Sequence, residues 1–367
     1  MNYPIDSAGR EPAYIQLYKY LVKDIVSEVY AFGARLPSKR IIAAETGVSV
    51  ITVEHALSLL AEEGYIETRQ RSGCFVAYRS ADFAGLPGEA RARPEQAAPA
   101  AHSTDTFPLS VMSRTVRKVL AEWGERLFDR SPNFGMPELK DEICRYLSRS
   151  RGISVTPDQV IVGSGAEYLY GLAAQFLGTG RVFALEDPSY EKIRRVYEAL
   201  GAECELLPLS DDGISSAALE ASRAAVLHVT PFNSFPSGVT ASISKKHKYI
   251  RWARERGSVI IEDNYDSELT VSRKAEEPLF SMADGVDVIY INTFSRTIAP
   301  SIRVGYMLLP ERMVQSFNEK LGFYSCTVPV LDQIVIAELL KSGDYERHVN
   351  RVRRKKRSQL KRENEHV

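Results

Sequence analysis

Cysteine is sparse in this chain, long apolar runs are missing, and charge of neither sign is in excess. The four cysteines (Cys74, Cys144, Cys204 and Cys326) lie far apart, and no two form a CxxC pair. That spacing excludes a disulfide framework and a zinc site, so no metal is expected, and it fits a reduced, cytoplasmic protein. No stretch of about 18 apolar residues occurs, so no membrane-spanning helix and no membrane partner are expected. The N-terminus lacks a signal-peptide pattern. With 47 Lys+Arg against 47 Asp+Glu, the whole-chain charge names no partner. No internal repeat is evident. What the chain does have is length: 367 residues suffice for two or three domains with their own cores.

Residues 12–30 carry Ile15, Leu17, Leu21, Val22, Ile25, Val26 and Val29 close to a helical period. Pro12 suits the helix start. A turn at Phe32-Gly33-Ala34 leads to Ser38, which can N-cap a short helix running through Glu45. Gly47 tolerates the positive φ that ends such a helix. Ser49 then caps a third helix to about Glu63, with Val53, Ala56, Leu57 and Leu60 on one face. Two short helices across a tight glycine turn make a helix-turn-helix. Ile66–Thr68 and Cys74–Val76, flanking Arg71-Ser72-Gly73, read as a hairpin, or wing.

The segments Tyr14-Ile15-Gln16-Leu17-Tyr18, Leu36-Pro37-Ser38-Lys39-Arg40, Gly47-Val48-Ser49, Thr52-Val53 and Glu63-Gly64-Tyr65-Ile66 keep order and spacing. Together they resemble the GntR-type winged helix over its full length. The resemblance implies that Lys39, Arg40, Ser49, Thr52, His55 and the wing residues Arg69 and Arg71 face double-stranded operator DNA. Phosphate contacts from such groups set position, and base-edge contacts set sequence. One departure stands out: the family usually has arginine directly after the serine, and here it is Val50. Residues 1–80 hold nine Lys/Arg and nine Asp/Glu, so the module is not basic. A winged helix used for protein contacts is the alternative.

Residues 80–106 are rich in Ala, Pro and Gly without periodicity, and read as a flexible linker. Beyond it, strand candidates are 160–162, 182–185, 204–207, 225–229, 259–261, 288–291 and 304–309. Helix candidates are 137–150, 166–177, 189–200, 242–256 and 311–320. That alternation argues for an α/β fold with a mostly parallel sheet and helices on both faces. Ligands of such sheets sit at the carboxyl ends of strands. Five loops follow strand candidates there: Gly163-Ser164-Gly165-Ala166-Glu167, Glu186-Asp187-Pro188-Ser189-Tyr190, Thr230–Gly238, Glu262–Asp266 and Asn292–Pro300. The first opens a helix, whose backbone N–H groups can hold a phosphate.

These loops, in this order, with 33 residues from Asp263 to position 296, resemble the aminotransferase-like domain of MocR/GabR-type regulators, a fold-type I pyridoxal 5'-phosphate (PLP) architecture. The domain expectation is a winged helix over 1–79, a linker over 80–106 and an aminotransferase-like domain over 107–367. The resemblance implies that Asp263 pairs with the pyridinium nitrogen and that Tyr265 bonds the ring hydroxyl. It implies that Tyr190 stacks on the ring and that Asn233 lies near it, where the family often has histidine. Gly165, Ala166, Ser295 and Arg303 would cradle the phosphate, Arg303 through charge-assisted bonds. Outside the resemblance, Asp263 reads as a loop acid without a ligand. Asn264 replaces a second aspartate of the family.

Position 296 departs from the family. The segment calls for a lysine whose amine forms a Schiff base with the cofactor, and the chain has Arg296. A guanidinium stays protonated to about pH 12 or beyond and offers no free amine. PLP binding is therefore expected to be non-covalent at most, with no catalytic residue and no transamination. Asp344–Arg353 matches the start of the helix leading to a small domain that would be incomplete here. Arg347–Arg362 carries nine Lys/Arg and no acid; it reads as a solvated basic helix end, with a nucleic-acid patch as the alternative. The leading expectation is a DNA-binding regulator whose α/β domain forms a homodimer and senses PLP or a small amine. The alternatives are a PLP-dependent aminotransferase and a degenerate remnant acting as a scaffold.

Overall fold

The computed structural model describes residues 3–6, 11–69, 72–79, 107–270 and 277–365. The expected linker and Arg71 lie outside the described residues. The chain divides into two compact units, Met1–Pro99 and Ala100–Val367. No single helix among the described residues is long and apolar enough to cross a membrane.

The first unit is a helix-turn-helix with a wing. Helices α1 (Ala13–Val26), α2 (Lys39–Thr46) and α3 (Val50–Glu62) bury Leu17, Leu21, Ile42, Val53 and Leu60 in one core. Ser38 Oγ accepts from the Ile41 N–H at 3.4 Å, and Ser49 Oγ accepts from the Thr52 N–H at 3.1 Å. Both serines therefore satisfy N–H groups that a helix start leaves free. Gly47, at φ 70°, caps α2 in the left-handed region. Strands β1 (Ile66–Arg69) and β2 (Gly73–Val76) pair antiparallel, Ile66 opposite Val76. The apolar pattern over 12–30 overstates the first helix. It stops at Val26, Glu28 takes φ 59°, and Val29 is exposed.

The second unit runs α4 (Leu109–Trp123), α5 (Pro137–Arg151), β3 (Val160–Gly163), α6 (Ala166–Leu177), β4 (Val182–Asp187), α7 (Glu191–Ala199), β5 (Glu203–Ser210), β6 (Gly213–Ile214), α8 (Ser216–Ala221) and β7 (Val226–Val229). It continues with α9 (Ile243–Arg256), β8 (Val259–Asp263), α10 (Leu279–Met282), β9 (Val288–Thr293), β10 (Gly305–Leu308), α11 (Glu311–Leu321), α12 (Val330–Lys341) and α13 (Asp344–Glu365). The sheet order is β3-β10-β9-β8-β7-β4-β5-β6. Strands β9, β8, β7, β4 and β5 are mutually parallel, while β10 runs antiparallel to both β9 and β3.

Both sheet faces are covered, as a parallel sheet requires. Successive residues alternate between faces. Ile289 and Ile291 pack with Leu169, Phe183 and Phe317 under α6, α7 and α11. Val288 packs with Tyr249 and Trp252 of α9, and Tyr290 with the cluster formed by α4, α5, α12 and α13. Helices α4 and α12 lie outside the helix candidates that the sequence offers. Helix α12 is apolar nearly all round because it is buried against α4, α5 and α13, so it shows no polar face.

Candidate functional site

The carboxyl ends of β4, β7, β8 and β9, the turn after β3 and the start of β10 converge on one cleft of about 460 Å³. Ala166, Tyr190, Asn233, Asp263, Tyr265, Ser295, Arg296 and Arg303 all line it. Because β10 is antiparallel, its leading end sits beside the trailing ends of the parallel strands. That is how Arg303, just before β10, joins the cleft. Gly165 adjoins through Arg303: a Cβ at Gly165 would lie 2.4 Å from Arg303 Nη2.

Asp263 is the buried floor. Tyr170 OH donates to its Oδ2, and the Tyr265 N–H donates to Oδ1 at 3.1 Å. His228 Nε2 lies 4.0 Å from Oδ2 and has no hydrogen-bond partner, while Nδ1 is 2.7 Å from Tyr197 OH. Burial, then the Asp263 charge, holds the Tyr170 hydroxyl far above its ordinary range, so it stays a donor. Tyr265 is pushed up to about 12 by burial and by Asp266 and Asp263. Its hydroxyl donates to the Asn233 carbonyl at 2.8 Å.

Asp266, which sequence reasoning passed over, organises one wall. It is buried, and Asn233 Nδ2 donates to its Oδ2 at 2.6 Å. Arg296 Nε donates to its Oδ1 at 3.0 Å. Asn233 adopts φ 52°, a conformation that asparagine tolerates better than most residues. The Arg296 side chain is 53% exposed, so a buried carboxylate presents a guanidinium to the cleft. The Arg296 loop is braced from α13. Tyr345 OH donates to Thr297 Oγ1 at 3.1 Å, and His348 Nε2 donates to the Thr297 carbonyl at 2.8 Å. Arg351 donates to His348 Nδ1 at 2.7 Å, which fixes that tautomer. The basic segment from Arg347 is thus packed along its first turns, with Val349 and Val352 buried.

Another wall carries Arg303, Glu167 and the start of α6. Gly165 takes φ 93° and opens α6, which turns the positive helix end toward the cleft. Arg303 Nη2 donates to Glu167 Oε2 at 2.5 Å, and Lys192 Nζ to Glu167 Oε1 at 3.3 Å. Burial raises the Glu167 carboxyl, but these cations and the backbone amide outweigh it and hold it below its usual range. Ser295 Oγ donates to the Ile302 carbonyl at 2.6 Å. Behind the cleft, Glu186 is buried; the Thr230 N–H donates to it at 3.2 Å and Ser234 Oγ at 2.6 Å. Burial pushes its carboxyl up to about 8, with Asp263 adding to the rise against those two hydrogen bonds. Glu167 and Tyr170 were legible only as helix residues; their i, i+3 spacing on α6 turns both toward the cleft.

In the winged helix, the residues expected to face DNA sit around α2, α3 and the wing. Arg40, Ser49 and His55 are exposed. The Lys39 ammonium is paired with Glu54 across α2 and α3. Ser49 Oγ and Thr52 Oγ1 lie 2.9 Å apart, sharing a hydrogen bond. His55 meets Tyr14 edge-on at 5.8 Å. Arg69 pairs with Glu67 at 3.2 Å and lies 4.7 Å over the Phe75 ring.

Residues 13–76 match the bacterial regulatory proteins of the gntR family, and residues 104–364 match aminotransferase class I and II. The chain is 33% identical to an uncharacterized HTH-type transcriptional regulator, YdeL, of Bacillus subtilis, over 95% of this chain and 78% of that protein. It is 28% identical to the HTH-type pyridoxine biosynthesis transcriptional regulator PdxR of Corynebacterium glutamicum, over 96% and 78%. It is 27% identical to the probable rhizopine catabolism regulatory protein MocR of Rhizobium meliloti, over 95% and 76%. Among solved structures, an archaeal alanine:glyoxylate aminotransferase aligns with a TM-score of 0.61 at 24% identity, over 66% of this chain and 62% of that one. That likeness is one of fold. The alpha-aminoadipate aminotransferase LysN of Thermus thermophilus aligns with a TM-score of 0.61 at 27% identity, over 68% and 64%. The chain therefore spans slightly under two thirds of these two enzymes' length.

Proposed function

From the premise that this chain belongs to the GntR/MocR-type transcriptional regulators, a gntR-family module joined to an aminotransferase-like domain, we propose that it is a cytoplasmic homodimer that binds operator DNA and senses a B6 compound, PLP foremost, without a covalent bond. Two-fold operators mirror two-fold proteins, which favours the dimer. A relative named for control of pyridoxine biosynthesis supports the choice of ligand class.

The cleft's donor set fits a phosphorylated pyridine. Asp263, held by Tyr170 and the Tyr265 N–H, suits a protonated ring nitrogen. The Tyr190 ring offers a stacking face. Arg303, Ser295 and the N–H groups opening α6 suit a phosphate, and Gly165 leaves room for Arg303. Glu167 already shares Arg303 and Lys192, so an incoming phosphate leaves Glu167 to Lys192. Bound PLP supplies an aldehyde and an electron-accepting ring. Nothing at position 296 captures that aldehyde, because a guanidinium is not a nucleophile at neutral pH.

The observation that carries this reading is Arg296 paired with Asp266 in a cleft that also holds Tyr190, Asp263, Ser295 and Arg303. The test is PLP titration of the full chain and of Arg296→Lys, followed by borohydride reduction and peptide mapping. The natural chain should show a saturable spectral change with no adduct, and the variant should gain an adduct at 296. A borohydride-stable adduct in the natural chain, or turnover of an amino acid with it, refutes the non-covalent reading. Failure to retain any DNA from a random duplex pool refutes the regulatory one.

A further inference from the structure

The start of α3 carries an apolar feature that the core does not use. The helix buries Val53, Ala56, Leu57 and Leu60. Its opposite face exposes Val50 (44%) and Ile51 (66%) in the first turn, followed by Glu54 and His55. Neither side chain belongs to the core cluster of this unit, so both leave branched aliphatic surface open to water at the helix start.

The polar groups around them are occupied. Ser49 Oγ accepts the Thr52 N–H at 3.1 Å and shares a hydrogen bond with Thr52 Oγ1 at 2.9 Å. The Lys39 ammonium is held by Glu54. The chemistry presented by the first turn is therefore mainly two alkyl surfaces. In a helix-turn-helix, the first residues of the second helix meet base edges in the major groove. The apolar group displayed there is the thymine C5-methyl.

We infer that Val50 and Ile51 read thymine methyl groups, so that each operator half-site carries thymine opposite the start of α3. This rests on the reading that the winged helix binds operator DNA. Burying one methyl is worth about fourfold in affinity.

The test uses the full chain. Duplexes retained from a random pool at fixed salt are sequenced, and each recurrent dT is replaced singly by dU, which removes only the methyl. One or two positions per half-site should lose about fourfold. In Val50→Ala or Ile51→Ala, both exposed helix positions that alanine suits, the matching dT and dU duplexes should bind alike. Such loss of the methyl effect is a coupling that a merely structural role would not produce. Recovered DNA whose every dT→dU change stays within twofold overturns the inference and leaves DNA binding standing. So does a methyl effect that persists unchanged in both variants. Recovery of no DNA overturns the inference together with the reading beneath it.

Discussion

Replacing Glu186 by glutamine tests whether the loop behind the cleft is built around a protonated acid. The side chain is buried, with the Thr230 N–H at 3.2 Å from Oε1 and Ser234 Oγ at 2.6 Å from Oε2. Glutamine has the same shape; its oxygen can accept from Thr230 and its NH₂ can donate to Ser234. Burial lifts the native carboxyl from an ordinary 4.5 to about 8. A carboxyl raised in the folded state contributes fully below its unfolded value. Its contribution is then lost as pH rises to the folded value. Over the interval from 4.5 to about 8, at about 1.4 kcal/mol per pH unit, the loss is on the order of 5 kcal/mol. Glu186→Gln should therefore match the natural chain near pH 4.5. It should gain on it steadily, by roughly 3 kcal/mol at pH 7, and level off above pH 8. Both tryptophans, Trp123 and Trp252, lie in the α/β unit. Urea unfolding followed by their fluorescence at pH 5, 7 and 8.5 thus reports that unit alone. Every other titrating group is shared, so the difference between the two proteins isolates this carboxyl. A difference that stays flat across that range, or shrinks as pH rises, refutes the reasoning.

Arg151 and Glu268 form a buried pair, with side chains 5% and 1% exposed and 3.8 Å between them. Arg151→Met removes the cation from a buried carboxylate that keeps the neutral donors Asn292 and Ser267, and should lower stability by about 3–5 kcal/mol in the same urea assay; a loss under 1 kcal/mol would contradict this. Gly165→Ala places a methyl 2.4 Å from Arg303 Nη2 at φ 93°. On the proposed binding mode, in which Arg303 holds the phosphate, it should weaken PLP binding roughly tenfold or more in a fluorescence titration, because that charged hydrogen bond is displaced. Arg40→Ala should reduce the salt slope of DNA binding by about 1. Lys39→Ala should reduce it by clearly less, since Glu54 already neutralises that ammonium; equal effects would show that the Lys39–Glu54 pair opens on DNA.

Much of this architecture was readable from local pattern. Serines, glycines and apolar spacing placed α2, α3 and the wing, because caps and turns depend on a few neighbouring residues. Strand-sized apolar runs followed by polar loops marked the segments 163–167, 186–190, 230–238, 262–266 and 292–300, which a parallel sheet brings to one edge; the individual residues in and beside them came from the family resemblance. Periodicity failed where contrast was missing. Helix α12 is buried over most of its surface, and the apolar run of α1 continues past Val26, where the chain turns.

Position 296 marks the division most clearly. The sequence alone determined that no amine stands there, since that is a property of the residue type. Where the guanidinium goes was decided by the tertiary structure. The adjacent ends of β7, β8 and β9 bring Asn233, Asp266 and Arg296 together across as many as 63 positions of sequence, and buried Asp266 takes up Arg296 Nε. The antiparallel placement of β10 likewise sets Arg303 against Gly165 and Glu167. Residue chemistry is local, but ion pairing depends on which strand ends are neighbours, and only the packed sheet specifies that.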